Sequence, residues 1–189
     1  MEIIPITTLW LPILLSGFVV FVVSSVIHMF LPYHRSDYSK VPDEDAVLDA
    51  LQPFDFPPGD YLIPRASGPE EMRSPEYLAK VERGPVAMMT VLPPNPMSNM
   101  GSQLGQWFAY TLLVGIVAAY VGGRMLAPGA DYLDVFRLTG TVTFACYSMA
   151  LMQHSIWFGR RWSTTLKSMV DGLVYAGLTG GVFGWLWPI

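Results

Sequence analysis

The stretch SSVIHMFLPYHRSDYSK, residues 24–40, ends a long apolar run: His28 falls one turn before Pro32, and polar residues follow at once. Upstream, TLWLPILLSGFVVFVVSSVIHMF (residues 8–30) carries no acidic side chain and no basic one except that histidine. A helix rises 1.5 Å per residue, so about 20 apolar residues cross the roughly 30 Å hydrocarbon core of a bilayer. The stretch therefore reads as a membrane helix leaving lipid near residue 31. A histidine at that depth is costly and turns toward protein, water or a ligand rather than acyl chains, which makes His28 a candidate functional residue.

Composition extends this reading to the whole chain. Of 189 residues, 52% are hydrophobic and only 14% charged, too apolar for an ordinary soluble domain. Runs at about 9–31, 103–126, 133–158 and 166–187 are each long enough to span. The expected fold is an all-α membrane bundle of four transmembrane helices with a small α+β cytoplasmic cap between helices 1 and 2. Its expected parts are helix 1 in residues 1–31, an acidic Pro-rich cap in 32–100, and helices 2–4 in 101–189. The first run lacks a basic leader and an A-x-A-like cleavage site, so it is expected to be retained. Cys146, the single cysteine, offers neither an intramolecular disulfide nor a cysteine metal cluster.

Charge sets the orientation and narrows the partners. Arg35 and Lys40 follow the first span, and Arg160, Arg161 and Lys167 cluster between the third and fourth, against Arg124 and Arg137 on the other side. The positive-inside rule then puts 32–100 in the cytoplasm and both termini outside, with Trp10, Trp185 and Trp187 at one interface and Trp107, Trp157 and Trp162 at the other. Residues 32–100 hold six Lys/Arg against eleven Asp/Glu. That balance argues against nucleic acid, which selects a basic footprint, and against simple docking on anionic headgroups.

Twelve of the sixteen prolines lie in 32–100, yet the segment contains element signals. Pro42 before Asp43, Glu44 and Asp45 opens a short helix near 43–51, and Ser74-Pro75-Glu76 opens another that Gly84 stops. Tyr61–Ile63 and Val86–Leu92 are placed to pair as short strands. Pro93-Pro94-Asn95-Pro96 then stiffens the approach to the second span. Met72, Met88, Met89, Met97 and Met100 are spaced irregularly, which suits core filling better than soft-metal ligation.

Within the bilayer, Gly177 with Gly181, Gly180 with Gly184, and Gly101 with Gly105 are small-xxx-small pairs that allow close helix packing. Under the topology above, His28, His154, Asp171, Gln103 and Gln106 all arrive near the cytoplasmic boundary. Helical spacing aligns Tyr147 with the His154 side, so Gln106, Tyr147, His154, Asp171 and His28 are expected to form one polar layer. Neutral imidazoles suit haem iron, zinc or copper, so His28 and His154 are candidate ligands of a tetrapyrrole, haem or chlorophyll type, or of another metal. The same residues also suit a buried polar network with no ligand. A transport path is less favoured, because the outer halves of the spans are almost wholly apolar. Tyr33–Tyr38 holds His, Ser and Asp in adjacent positions, which suits anchoring and capping rather than a triad. No GxGxxG, Walker A, HExxH or GxSxG pattern occurs, so catalysis has no positive signal.

Three stretches, HMFLPYHRSDYSKVPDED, GSQLGQWFAY and SIWFGRRWSTTLKSMVDGLVYAGLTGGVFGWLWP, together resemble a group of uncharacterised bacterial four-helix integral membrane proteins of about this length. The resemblance implies a retained, multi-pass protein of the bacterial inner membrane and implies no activity. The expected function is that of a non-catalytic accessory or assembly subunit with protein partners in a larger membrane complex. The alternative is a tetrapyrrole- or metal-binding membrane subunit using His28 and His154.

Overall fold

A computed structural model describes residues 3–94 and 99–189; Asn95, Pro96 and Met97 of the proline linker and methionine set lie outside the described residues. The chain is mostly helical (70%), with one small two-stranded sheet. It divides into two compact units, Met1–Tyr38 with Gly101–Ile189, and Ser39–Met100. The expected boundary at residue 31/32 thus falls at 38/39, because side chains of Tyr33, Ser36 and Asp37 bond to Lys167.

The first unit contains α1 (Trp10–Phe30), α4 (Met100–Met125), α5 (Tyr132–Ser148), α6 (Met152–Phe158) and α7 (Trp162–Trp185). Among the described residues, three helical stretches are long and apolar enough to cross a membrane: Ile6–Phe30, Met100–Met125 and Tyr132–Phe158. The fourth run forms α7, 24 residues long, but Lys167, Asp171, five glycines and several hydroxyl side chains dilute its hydropathy. The expected third span is also not one uninterrupted α-helix. A 3₁₀ turn at Met149–Leu151 separates α5 from α6, and its tighter winding changes the angular phase of everything after it.

α7 packs against both α1 and α5. One apolar cluster gathers Ile4, Leu9, Ile13, Ala118, Ala119, Val135, Phe183 and Trp187; the other gathers Val20, Val114, Tyr147 and Tyr175. Close approach of α5 and α7 depends on missing side chains. A Cβ on Gly180 would lie 2.9 Å from the Phe136 carbonyl oxygen, and one on Gly184 would lie 2.7 Å from the Tyr132 ring. Gly177, Gly101 and Gly105 have no such neighbour, so of the three expected pairs only Gly180 with Gly184 has both members pressed against another helix. Buried threonines satisfy their hydroxyls on the preceding helical turn, as Thr139 does on Val135 O and Thr179 on Tyr175 O.

The second unit contains α2 (Glu44–Leu51), β1 (Gly59–Ile63), α3 (Pro75–Arg83) and β2 (Ala87–Val91). Both helices start where a side chain can cap them: Asp43 accepts from the Ala46 amide and Ser74 from the Tyr77 amide. β1 and β2 pair antiparallel, Gly59 opposite Val91 and Ile63 opposite Ala87, and Thr90 donates across the pair to Asp60 at 2.7 Å. No described residue from 39 to 94 is buried.

Candidate functional site

The site begins at the exit of α1. Leu31 turns the chain into extended backbone, and Pro32, pre-set for a turn, starts a single 3₁₀ turn over Pro32–His34. That turn folds His34 back onto the helix it has just left. The His28 and His34 rings stack, centroids 4.6 Å apart and 18° from parallel. The Arg35 and Asp37 amides close the turn on Pro32 O and His34 O.

Lys167 of α7 holds this turn in place. Its ammonium donates to Tyr33 O at 2.9 Å, Ser36 Oγ at 2.8 Å and Asp37 Oδ1 at 3.0 Å, using all three of its protons. The Tyr33 hydroxyl returns a hydrogen bond to Lys167 O at 3.0 Å. Burial alone raises the Asp37 carboxyl, but the hydrogen bonds and charges of His34 and Lys167 outweigh it and hold the group below its ordinary value. Asp37 is therefore a carboxylate, and its Oδ2 lies 2.6 Å from His34 Nδ1.

These contacts fix the imidazole tautomers. His28 Nδ1 is 3.0 Å from Ser24 O, a carbonyl that can only accept, and His34 Nδ1 faces a carboxylate that can only accept. Both Nδ1 atoms thus carry hydrogen, an assignment from the hydrogen-bond partners. In the neutral ring each Nε2 then presents a lone pair. Ser24 is itself fixed: its hydroxyl donates to Phe21 O and accepts from Trp107 Nε1 on α4 at 2.8 Å.

One turn beyond Lys167, buried Asp171 completes the set. Its Oδ2 lies 2.9 Å from His34 Nε2, yet His34 Nε2 has no aligned hydrogen-bond partner. A lone pair facing a carboxylate oxygen is repulsive until a cation, either a proton or a metal ion, comes between them. Lys167 pairs with Asp37, so the mostly buried Asp171 depends for its counter-charge on a proton or metal ion held between it and His34.

His28, His34 and Asp171 each offer a ligand atom within 4.8 Å of the others. Two imidazoles and one carboxylate are the donors of divalent transition metals of the zinc class. Ligands sharing such an ion at about 2.0–2.1 Å in a tetrahedron stand roughly 3.3–3.4 Å apart, so the His34–Asp171 pair, at 2.9 Å, needs to open by only about 0.4 Å to form one edge. The third donor is His28, the exposed member of the group. Hydrogen bonding of both outer Nδ1–H groups to oxygen is the arrangement that orients metal-bound histidines.

The residues expected to form one layer separate. His28 and Asp171 belong to this cluster, but His154 does not. It is exposed on α6 with its ring against Phe158. The neighbouring Ser155 is buried and donates to Thr165 Oγ1 of α7, which turns His154 to the outer side. Gln106 is exposed and bonds Ser102, while Gln103 is exposed as well. Tyr147 packs with Trp107, Tyr110 and Tyr175 in an aromatic cluster. His34, read from sequence as part of an anchoring segment, is central. The His34–Asp37 spacing just after Pro32 is the signal that marks it. Comparison with protein-family models, curated proteins and solved structures finds no match.

Proposed function

We propose that this is a four-span integral membrane protein that binds one divalent transition-metal ion of the zinc class through His28, His34 and Asp171. The observation that carries the reading is geometric: both Nδ1 atoms face oxygen acceptors, and Nε2 of His34 lies 2.9 Å from the Asp171 carboxylate without an aligned hydrogen bond. The α7 surface supports a fourth span. Its exposed large side chains include Leu166, Val170, Leu173 and Val174, while Thr164, Thr165, Asp171 and Thr179 are buried. A water-facing helix has the opposite arrangement, polar outside and apolar within. The basic residues Arg35, Arg160, Arg161 and Lys167 favour the cytoplasmic side for this end of the bundle.

The test is metal analysis of protein purified in mild detergent without chelators, followed by titration of stripped protein with Zn²⁺ and Co²⁺. One ion per chain is expected, with loss of binding in His34→Ala and Asp171→Asn. Wild-type protein that takes up neither ion at micromolar concentration would end this reading. Its absorbance spectrum is expected to lack tetrapyrrole bands.

A second reading, an accessory subunit working by contact, is favoured by a separate observation. Throughout residues 39–94 every side chain is at least partly exposed, including Leu48, Phe54, Val86 and Leu92. A unit this small gains little from its own core, and a protein partner supplies what is missing. Cross-linking in native membranes from a photoreactive residue at Leu48 tests it; a lack of any adduct other than to this chain or lipid counts against it.

A further inference from the structure

Among the described residues, two buried side-chain polar atoms lack a hydrogen-bond partner, His34 Nε2 and the Tyr175 hydroxyl. Both belong to the same neighbourhood. Tyr175 lies four residues after Asp171 on α7, which puts the two on one face of the helix a turn apart. The Tyr175 ring is immobilised against Trp107 and Tyr147, at 6.0 and 5.5 Å between centroids, and the residue is only 4% exposed. A buried phenol almost always finds a partner, because an unmade hydrogen bond costs about 1–3 kcal/mol. This one is packed between Trp107 and Tyr147, unpaired, one helical turn from Asp171 of the candidate group.

The ligand count gives the second half of the argument. Among the described residues the group has three members, His28, His34 and Asp171, whereas zinc-class ions take four ligands when the site is structural. Three protein ligands leave one position to solvent or to an exogenous donor.

We infer that the His28–His34–Asp171 centre keeps an open fourth position, taken by an exchangeable small anion such as hydroxide or a carboxylate, which accepts a hydrogen bond from Tyr175. The inference rests on the metal-binding reading above. Tyr175 is a positioning residue here: it acts on the exogenous ligand and leaves the ion to the other three. Such a centre differs from a structural clasp, because it can polarise what binds to it.

The experiment uses full-length protein in detergent loaded with Co²⁺, whose visible bands report the ligand field, and titrated with azide. Wild-type protein is expected to change its cobalt spectrum saturably with azide. Tyr175→Phe is expected to bind the same amount of Co²⁺ and to bind azide about tenfold more weakly, as one lost hydrogen bond of roughly 1.4 kcal/mol gives. Cobalt bound with a spectrum indifferent to azide overturns the open position while leaving the metal site standing. Identical azide titrations in wild type and Tyr175→Phe overturn the role of Tyr175, and loss of Co²⁺ from Tyr175→Phe does the same by showing that the residue supports the ion itself. Failure of wild-type protein to bind Co²⁺ removes the metal reading and this inference together.

Discussion

His34 and Asp37 are joined by a 2.6 Å contact between Nδ1 and a carboxylate oxygen, and the other oxygen of the same carboxylate is held by Lys167 at 3.0 Å. The relationship makes Asp37 the link between the α1 exit turn and α7. It also determines which nitrogen of His34 is free. Asp37→Asn leaves one acceptor oxygen for two donors: with Lys167 on that oxygen, an NH2 group that cannot accept faces His34 Nδ1, while the three proposed metal donors stay in place. Metal affinity is expected to fall about 10–100-fold, the usual effect of losing an outer partner of a ligating histidine. Competition with a coloured chelator measures it. An unchanged affinity would show that Asp37 anchors the turn and has no hold on the ring.

The same carboxylate gives the turn a pH dependence. Its folded-state pKa is depressed, because the bonds from His34 and Lys167 prevail over the burial that would raise it. A depressed carboxylate adds stability that is fully present above its unfolded value, near 3.9. That stability disappears as pH falls through the lower folded value. In metal-free protein, the margin by which wild type exceeds Asp37→Asn in thermal stability is expected to shrink as pH falls below about 4. Melting curves of both proteins across that range provide the check. A margin that survives in strong acid rules out an ionised Asp37 as its source.

Helix contact through glycine leads to a third expectation. A methyl at Gly180 would meet the Phe136 carbonyl, which is backbone and cannot rotate away, whereas a methyl at Gly177 meets nothing. Gly180→Ala is expected to lose roughly 1–3 kcal/mol by overpacking, and Gly177→Ala to lose none. Unfolding of both variants in mixed detergent micelles decides this; equal stability would mean that α5 and α7 are not held at the separation described.

Much of the fold was readable because its signals are local. Apolar length marked the helices, Ser74 and Asp43 marked helix starts, and the β-rich runs beside Pro and Gly marked β1 and β2. His28 and Asp171 stood out as polar groups in apolar helices. What was not readable depended on changes of phase and direction. Extending the α5 face from Tyr147 to His154 assumes continuous 3.6-residue winding, and the 3₁₀ turn at Met149–Leu151 breaks it. His34 lies in a turn, where periodicity says nothing about direction, and only the fold-back at Pro32 brings it over His28. The thinner apolar signal of α7 has a related cause: it carries Lys167 and Asp171 inward while its exposed face stays apolar, and an average over the helix cannot separate the two.

The contrast between two histidines provides the sharpest mutational check. His154 is exposed on α6 and touches Phe158, while His34 stacks on His28 and faces Asp171. His154→Ala is therefore expected to keep both metal stoichiometry and stability, the latter within about 0.5 kcal/mol as for other exposed positions. His34→Ala is expected to abolish metal binding and, in metal-free protein, to leave Asp37 short of one partner and weaken the turn. Metal content and melting temperature measured on the two variants side by side separate the possibilities. If His154→Ala empties the site and His34→Ala does not, the ligands are those suggested by helical spacing alone, and the fold-back at Pro32 has no part in binding.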